Sequence, residues 1–205
     1  MRCGYIQYNV SKNVRENLYK ISEMAAKKKS SIYVLPEMSF TGYLFSGIDD
    51  INKYINEIKN EKVEEFMLEL SEKHNTAFIY NIPKLEDDNL YNTSVIVSKG
   101  NYKGYYNKIH LTDYEKKFFT NGNKIKVFEL DDIKIGVQIC FDIWFCEISR
   151  QQILNGADIL LISANFGSIY TYNISKMRAL ENAVPVVLCN RIGSEKNKDM
   201  DAVFT

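Results

Sequence analysis

Three residues with reactive side chains each follow a short apolar or aromatic run. Glu37 comes after Tyr-Val-Leu-Pro, Lys108 after Gly-Tyr-Tyr-Asn, and Cys140 after Gly-Val-Gln-Ile. Ligand sites of α/β proteins gather at the carboxyl ends of strands. If the three runs are strands, a carboxylate, an ammonium group and a thiol converge on one site.

Cys140 has the local context of a nucleophile on a sharp strand-to-helix turn. Backbone amides at the start of a following helix would lower the pKa of the thiol and bind a developing oxyanion. On this pattern alone a buried structural cysteine stays open as an alternative, because cysteine is among the residues most often buried.

Glu37 lies among apolar and aromatic residues in the segment Leu-Pro-Glu-Met-Ser-Phe. Such surroundings raise the pKa of a carboxyl group and suit a general base, although an ordinary loop carboxylate fits the pattern too. Taken alone, the context of Lys108 is typical of a surface lysine. His110, two residues later, offers a rival base for a Cys–His pair.

Composition argues against several other classes of function. The chain has 205 residues, with 26 basic and 26 acidic side chains and a formal net charge of zero. This balance argues against a strongly basic nucleic-acid surface. No apolar run approaches the roughly 20 residues needed to span a bilayer. The first residues lack the apolar core of a signal peptide, so we expect a soluble cytoplasmic protein.

Metal and cofactor chemistry has no local support in the sequence. The four cysteines include no Cys-x-x-Cys pair, and the two histidines, His74 and His110, lie far apart. We therefore expect no metal site. Glycine motifs that cradle phosphates are also absent from the sequence. The expected partner is a small-molecule substrate, with no cofactor, nucleic acid or membrane.

Hydrophobic periodicity predicts strands that alternate with helices. Helices are predicted at residues 14–29, 63–74, 145–155 and 174–184, and strands at residues 3–10, 32–35, 77–82, 90–98, 102–106, 126–130, 133–139, 159–163 and 186–189. Hairpin turns are predicted at Lys99-Gly100-Asn101 and at Asp131-Asp132. The alternation indicates a single domain, residues 1–205, with a mixed sheet covered by helices, in the α/β or α+β class.

Four segments carry a pattern that spans nearly the whole chain. They are Leu35-Pro36-Glu37-Met38 with Thr41-Gly42-Tyr43; Asn107-Lys108-Ile109-His110-Leu111 followed by Glu115; residues 136–142 with Phe145 and Glu147; and Gly156-Ala157-Asp158 with Asn165 and residues 177–182. In order and spacing, from Arg2 to about Gly193, the chain resembles the nitrilase superfamily of carbon–nitrogen hydrolases.

The resemblance implies a fold, a catalytic triad and a substrate pocket. The implied fold is an α-β-β-α sandwich of two mixed sheets flanked by helices, assembled as a homodimer through helices that include the segment after the cysteine. The implied triad is Glu37, Lys108 and Cys140, with Glu115 supporting Lys108 or the substrate. The implied pocket is lined by Tyr43, Phe141, Asp142, Trp144 and Asn165.

The implied reaction is hydrolysis of a non-peptide C–N bond in a small amide or carbamoyl compound, through a thioester on Cys140. Departures from the family pattern at Asn121, Trp144 and Cys146 leave the substrate class open. Nitrile hydrolysis on the same triad, or a non-catalytic binding subunit with this fold, are alternatives. The resemblance also implies that relatives continue beyond residue 205, which would leave an interrupted strand at Phe204-Thr205 with an unpaired edge.

Two other cysteine hydrolases are rivals. An isochorismatase-like enzyme should carry an acidic residue after its first strand, and residues 5–8 contain none. A papain-like mechanism requires His110 as the base. Replacing His110 therefore distinguishes the papain-like mechanism from the nitrilase-like one.

Overall fold

The computed structural model describes residues 1–198 and 200–204, which form five α-helices and eleven β-strands. The helices are α1 (Val14–Lys27), α2 (Ile48–Asn60), α3 (Val63–Lys73), α4 (Cys146–Leu154) and α5 (Ile169–Asn182). The strands are β1 (Cys3–Tyr5), β2 (Ile32–Val34), β3 (Ala77–Glu86), β4 (Asn89–Ser98), β5 (Asn101–Asn107), β6 (Val127–Leu130), β7 (Ile133–Ile139), β8 (Ile159–Ala164), β9 (Val186–Asn190), β10 (Gly193–Lys196) and β11 (Asp201–Phe204).

Two mixed sheets form the centre of the molecule. The first has the order β1-β2-β3-β4-β5, with β1, β2 and β3 parallel and β4 and β5 joined to β3 as antiparallel hairpins. The second has the order β6-β7-β8-β9, in which β6 is antiparallel to β7 and the other pairs are parallel. These sheets confirm the expected mixed α/β architecture.

Two apolar clusters hold the layers together. One lies between the sheets and includes Val34 and Ile79 of the first sheet and Val137 and Leu161 of the second. The other packs α1 and α3 against the outer face of the first sheet. Because α4 and α5 contact the second sheet, the order of layers is helix, sheet, sheet, helix.

The largest difference from the predicted elements is α2, which was not among the predicted helices. Its apolar residues Ile51, Tyr54, Ile55 and Ile58 do follow helical spacing, so the periodic signal was present in the sequence. Its N-cap is Gly47, which supplies no side-chain hydrogen bond, so the usual start signal is missing.

The two ends of the chain also differ from the predictions. The first strand stops at Tyr5 instead of residue 10, because Ile6, Tyr8 and Val10 leave the sheet to pack against α1. Near the other end, β11 pairs on one side with β10 as an antiparallel hairpin that was not predicted, and Phe204 is buried. Thr205 lies outside the described residues.

Candidate active site

Cys140 lies on a sharp turn between β7 and α4. Its φ of 43° is in the left-handed region, and a short 3-10 turn over Cys140–Trp144 follows it. A non-glycine residue held there costs on the order of 1–3 kcal/mol and persists only when its surroundings fix it. The predicted strand–cysteine–helix turn is therefore present.

Asp142 holds this turn in place. Its buried carboxylate accepts hydrogen bonds from the backbone N–H of Ile139 at 3.1 Å, from the backbone N–H of His110 at 2.8 Å and from the Tyr106 hydroxyl at 2.8 Å. Both carboxylate oxygens are thus occupied by protein donors. We expected Asp142 in the substrate pocket, but its contacts are those of a residue that fixes the backbone.

Glu37 enters the site from the end of β2. Its backbone N–H donates to the carbonyl of Ala164, at the end of β8, across 3.2 Å. The next residue, Met38, has a φ of 50° and donates its N–H to Asn81 Oδ1 at 2.7 Å. The first bond joins the two sheets where β2 and β8 end, as expected for a site at the carboxyl edge. The second fixes the turn after β2 against β3.

Lys108 links two buried carboxylates. Its ammonium group donates to Glu37 Oε1 at 2.8 Å and to both oxygens of Glu115 at 2.8 Å. All three side chains have no exposed surface. The predicted carboxylate and ammonium therefore meet, and Glu115 contacts Lys108 as the family resemblance implied.

Asn92 is a member of this cluster that the sequence analysis missed. Its side-chain amide donates to Glu37 Oε1 at 2.7 Å and to Glu115 Oε1 at 2.8 Å, and it accepts from Asn81 at 2.9 Å. The available signal was the polar run Asn92-Thr93-Ser94 inside an otherwise apolar strand, all three of which are buried.

The two carboxylates have different protonation behaviour. Burial, opposed by Lys108 and reinforced by Glu115, raises the pKa of Glu37 to about 7. Burial also acts to raise the pKa of Glu115, but Lys108 and the hydrogen bonds of Thr112 outweigh it and leave that pKa lowered. Glu37 is therefore suited to exchanging protons near neutral pH, while Glu115 stays ionised.

The thiol of Cys140 is protonated at rest. Burial and the charge of Glu37 raise its pKa well above the ordinary value, although Lys108 acts in the opposite direction. We expected helix amides to lower this pKa, but the buried position and the nearby carboxylates dominate. A nucleophile in this state needs a base, and the buried Oε2 of Glu37 has no protein donor within the described residues.

Other residues expected in the pocket differ in their placement. Tyr43 brings its hydroxyl to 3.4 Å from Thr112 Oγ1. The carbonyl of Asn165 lies 3.8 Å from Cys140 Sγ, and its side-chain amide is buried without a partner among the described residues. Phe141 is half-buried with its ring 6.1 Å from that of Trp144, and Trp144 is 43% exposed.

The contacts of His110 are with Phe145 and Asp142, and they do not place it as the base of a Cys–His pair. Its ring stacks on Phe145 with centroids 3.6 Å apart and planes 7° apart. Its Nδ1 lies 3.5 Å from the Asp142 carboxylate, which already holds the cysteine turn. These contacts favour a packing role for the imidazole.

No metal cluster or membrane-spanning helix occurs within residues 1–198 and 200–204. A surface cavity of about 310 Å³ lies elsewhere, and its lining includes Glu86, Tyr105 and Lys126 but none of Glu37, Lys108 and Cys140.

Comparison with known sequences identifies the family of the chain. The family model described as carbon-nitrogen hydrolase matches residues 3–201. The chain belongs to the carbon–nitrogen hydrolase family.

Individual members of this hydrolase family are similar over most of the chain. A protein named nitrilase from Pyrococcus abyssi is 32% identical over 201 residues, covering 96% of this chain and 77% of the relative. A citrullinase from Francisella tularensis is 28% identical, covering 100% and 78%. The crystal structure of a carbon–nitrogen hydrolase from Helicobacter pylori has a TM-score of 0.89 at 23% identity, covering 100% and 79%, so its fold is the same.

Proposed function

We propose that this hydrolase cleaves a C–N bond of a small amide or carbamoyl compound by forming a thioester on Cys140. The observation that carries the proposal is the buried group of Glu37, Lys108 and Glu115, whose charges all act on the pKa of Cys140. It supplies a base whose pKa is near 7, a fixed positive charge and a thiol in one region protected from water.

In the first half of the reaction, Cys140 Sγ attacks the substrate carbon while Glu37 takes the thiol proton. The oxyanion that forms is stabilised by the Lys108 ammonium and by the backbone N–H of Phe141. Because two hydrogen bonds of Lys108 end on the same Glu115 carboxylate, one of its hydrogens can turn to the oxyanion. Glu37 then protonates the leaving nitrogen, the C–N bond breaks, and ammonia or an amine departs.

In the second half, water attacks the thioester carbon. Glu37, now ionised again, removes the proton from the water, and Lys108 stabilises the second oxyanion. The C–S bond breaks, the thiolate recovers the proton from Glu37, and the acid leaves. Each turnover thus consumes one substrate molecule and one water molecule and restores the enzyme.

The proposed substrate class rests on relatives as well as on chemistry. The Francisella tularensis relative is named citrullinase, which favours a carbamoyl compound. The Pyrococcus abyssi relative is named nitrilase, so nitriles belong in any substrate panel. A nitrile would be attacked by Cys140 in the same way, giving a thioimidate whose nitrogen takes the thiol proton through Glu37. One water molecule would then release ammonia and leave the thioester, and a second would release the acid.

Measurement of ammonia release from a panel of small amides, carbamoyl compounds and nitriles tests the proposal. We expect turnover of at least one amide or carbamoyl compound by the wild-type protein and none by Cys140→Ala. The matched control is Cys146→Ala, which changes an exposed cysteine and should keep full activity. Full activity in Cys140→Ala, or no turnover of any compound by wild type, would contradict the proposal.

We also propose that two copies of the chain associate through helices that include the segment after the cysteine, as the family resemblance implied, with the outer face of α5 supplying apolar contact area. Exposed apolar side chains on this helix are Ile169, Tyr170, Met177 and Leu180. A patch of this kind on an outer helix favours a protein contact. Sedimentation should show a dimer for the wild type and a monomer for Leu180→Asp. A monomeric wild type would refute the pairing.

A further inference from the structure

A carboxylate on the hairpin β10–β11 accepts hydrogen bonds from the backbone of the loop that follows Glu37. The Glu195 side chain, on β10, accepts a hydrogen bond from the backbone N–H of Tyr43 at 2.9 Å and from that of Leu44 at 3.0 Å. Glu195 is only 8% exposed. Charge-assisted bonds to backbone amides are stronger than neutral ones, and two of them fix both the position and the orientation of the loop.

Arg191 forms a buried ion pair with this carboxylate. Its Nη1 donates to Glu195 Oε2 at 2.5 Å, and its Nη2 donates to the carbonyl of Val10 at 2.8 Å. The guanidinium carbon lies 4.5 Å from the ring centroid of Phe204. Arg191 has no exposed surface. A buried ion pair adds little net stability compared with apolar packing. Stability alone therefore does not explain the Arg191–Glu195 pair.

The loop is shaped for close approach by the carboxylate. Gly42 has a φ of 76°, and a Cβ placed there would lie 2.7 Å from Glu195 Oε1. A side chain at this position would strain the backbone and push Glu195 away from the amides of Tyr43 and Leu44. The glycine and the glutamate therefore fit together as one unit.

The loop leads directly to the catalytic cluster. The Tyr43 hydroxyl lies 3.4 Å from Thr112 Oγ1, and Thr112 donates to Glu115 Oε2 at 3.0 Å. Glu115 in turn binds Lys108. Burial raises the pKa of Tyr43, and Glu115 reinforces this, so the hydroxyl remains a neutral donor beside the carboxylates.

A second connection reaches the site through the backbone. The carbonyl of Ala164 accepts from the N–H of Glu37 and from the N–H of Arg191, each at 3.2 Å. The residue that holds Glu195 thus shares an acceptor with the proposed general base.

We propose that Arg191 and Glu195 form a positioning pair that holds Tyr43 against Thr112 and thereby orients Glu115 and Lys108 for catalysis. This inference rests on the proposed function of the site, but neither residue touches the reacting atoms. Glu195 lies on β10, and Arg191 lies in the link between β9 and β10. The effect of the Glu195 side chain on catalysis passes through Tyr43.

A double-mutant cycle between Glu195→Gln and Tyr43→Phe tests the proposal. Alone, Glu195→Gln should lower kcat/KM about tenfold, mostly through kcat, because the loop loses its fixed position. In the Tyr43→Phe background the same change should cost less than about threefold. Equal losses in both backgrounds would overturn the proposal, because they would show an effect that does not pass through Tyr43.

The rate at which chloroacetamide alkylates Cys140 gives a second readout that does not depend on amide turnover. We expect the same non-additive pattern in this rate. If wild type hydrolyses no amide, the proposed function fails, while the alkylation cycle still decides the positioning role. An alkylation rate unchanged by Glu195→Gln would overturn that role.

A backbone variant covers the case in which Glu195→Gln does not fold. Gly42→Ala should reproduce the loss of alkylation rate, whereas Gly47→Ala should not, because a Cβ at Gly47 has no neighbour within 4 Å. Lys196→Gln serves as the hairpin control, since its exposed ion pair with Asp201 lies away from the loop. Wild-type alkylation in Gly42→Ala, or an equal loss in Lys196→Gln, would contradict the proposal.

Discussion

Glu37 and Glu115 are buried carboxylates that share two donors, yet their pKa values move in opposite directions. Lys108 and Asn92 each donate to both. Glu115 receives further hydrogen bonds from the backbone N–H and the hydroxyl of Thr112, at 2.9 and 3.0 Å, whereas Oε2 of Glu37 receives none from the described residues. Because Glu115 receives more hydrogen bonds, it stays ionised, whereas Glu37 can exchange protons near neutral pH.

The pH dependence of kcat/KM should follow Glu37. The reaction needs Glu37 ionised, so kcat/KM should rise with pH and reach half its limit at about 7. Lys108, whose raised pKa keeps it protonated, should cause no decline in the neutral range. Glu115→Gln should move the rising limb to lower pH, because the charge of Glu115 raises the pKa of Glu37. If the rising limb of the wild-type profile had its midpoint near pH 4.5, the ordinary pKa of glutamate, the assignment would be contradicted.

Asn92→Ala should reduce kcat/KM by about 10- to 100-fold, because both carboxylates lose a donor in a region closed to water. Asn92→Asp should be worse, since it adds a third negative charge beside Glu37 and Glu115. Steady-state kinetics would measure both effects. Asn89→Ala, at the exposed start of the same strand, is the matched control. Equal activities for Asn92→Ala and Asn89→Ala would show that Asn92 does not contribute to the function of the buried cluster.

The positions of Glu37, Lys108 and Cys140 at strand ends were predictable from sequence, because each follows an apolar or aromatic run that forms β2, β5 or β7. The ends of β2 and β8 meet through the bond from the Glu37 N–H to the carbonyl of Ala164, and β8 is the parallel neighbour of β7. The protonation of Cys140 was not predictable, because it depends on how deeply the thiol is buried and on carboxylates far away in the sequence.

Residues that act through hydrogen bonds were harder to find. Asn81 and Asn92 have no spacing that marks them, since they meet across the antiparallel pair β3–β4. The link between Glu195 and the loop at Tyr43 spans about 150 residues of sequence. Such contacts follow from the tertiary fold. The polar run at Asn92 marks an unusual position in a strand, but no local pattern says which residues it contacts.

Tyr106→Phe should lower the free energy of unfolding by about 2 kcal/mol, because the buried Asp142 carboxylate loses a donor. Urea unfolding would measure this loss. The cysteine turn should also loosen, so alkylation of Cys140 should slow in the folded variant. Tyr102→Phe is the control, since Tyr102 is 56% exposed. A Tyr106→Phe protein as stable as wild type would show that the hydroxyl does not support the turn.

His110→Ala should reduce kcat/KM by no more than about tenfold, because the imidazole packs on Phe145 and is not the base. The same assay that measures ammonia release would report the change. A loss as complete as that of Cys140→Ala would instead support a Cys–His pair.

The most direct test of the central claim is mass spectrometry of the protein after acid quenching during turnover of an active amide. The account predicts that the peptide containing Cys140 gains the mass of the substrate's acyl group, that hydroxylamine removes it, and that Cys140→Ala shows neither the adduct nor turnover. Steady turnover with no acyl group on Cys140, together with full activity in Cys140→Ala, would contradict the account.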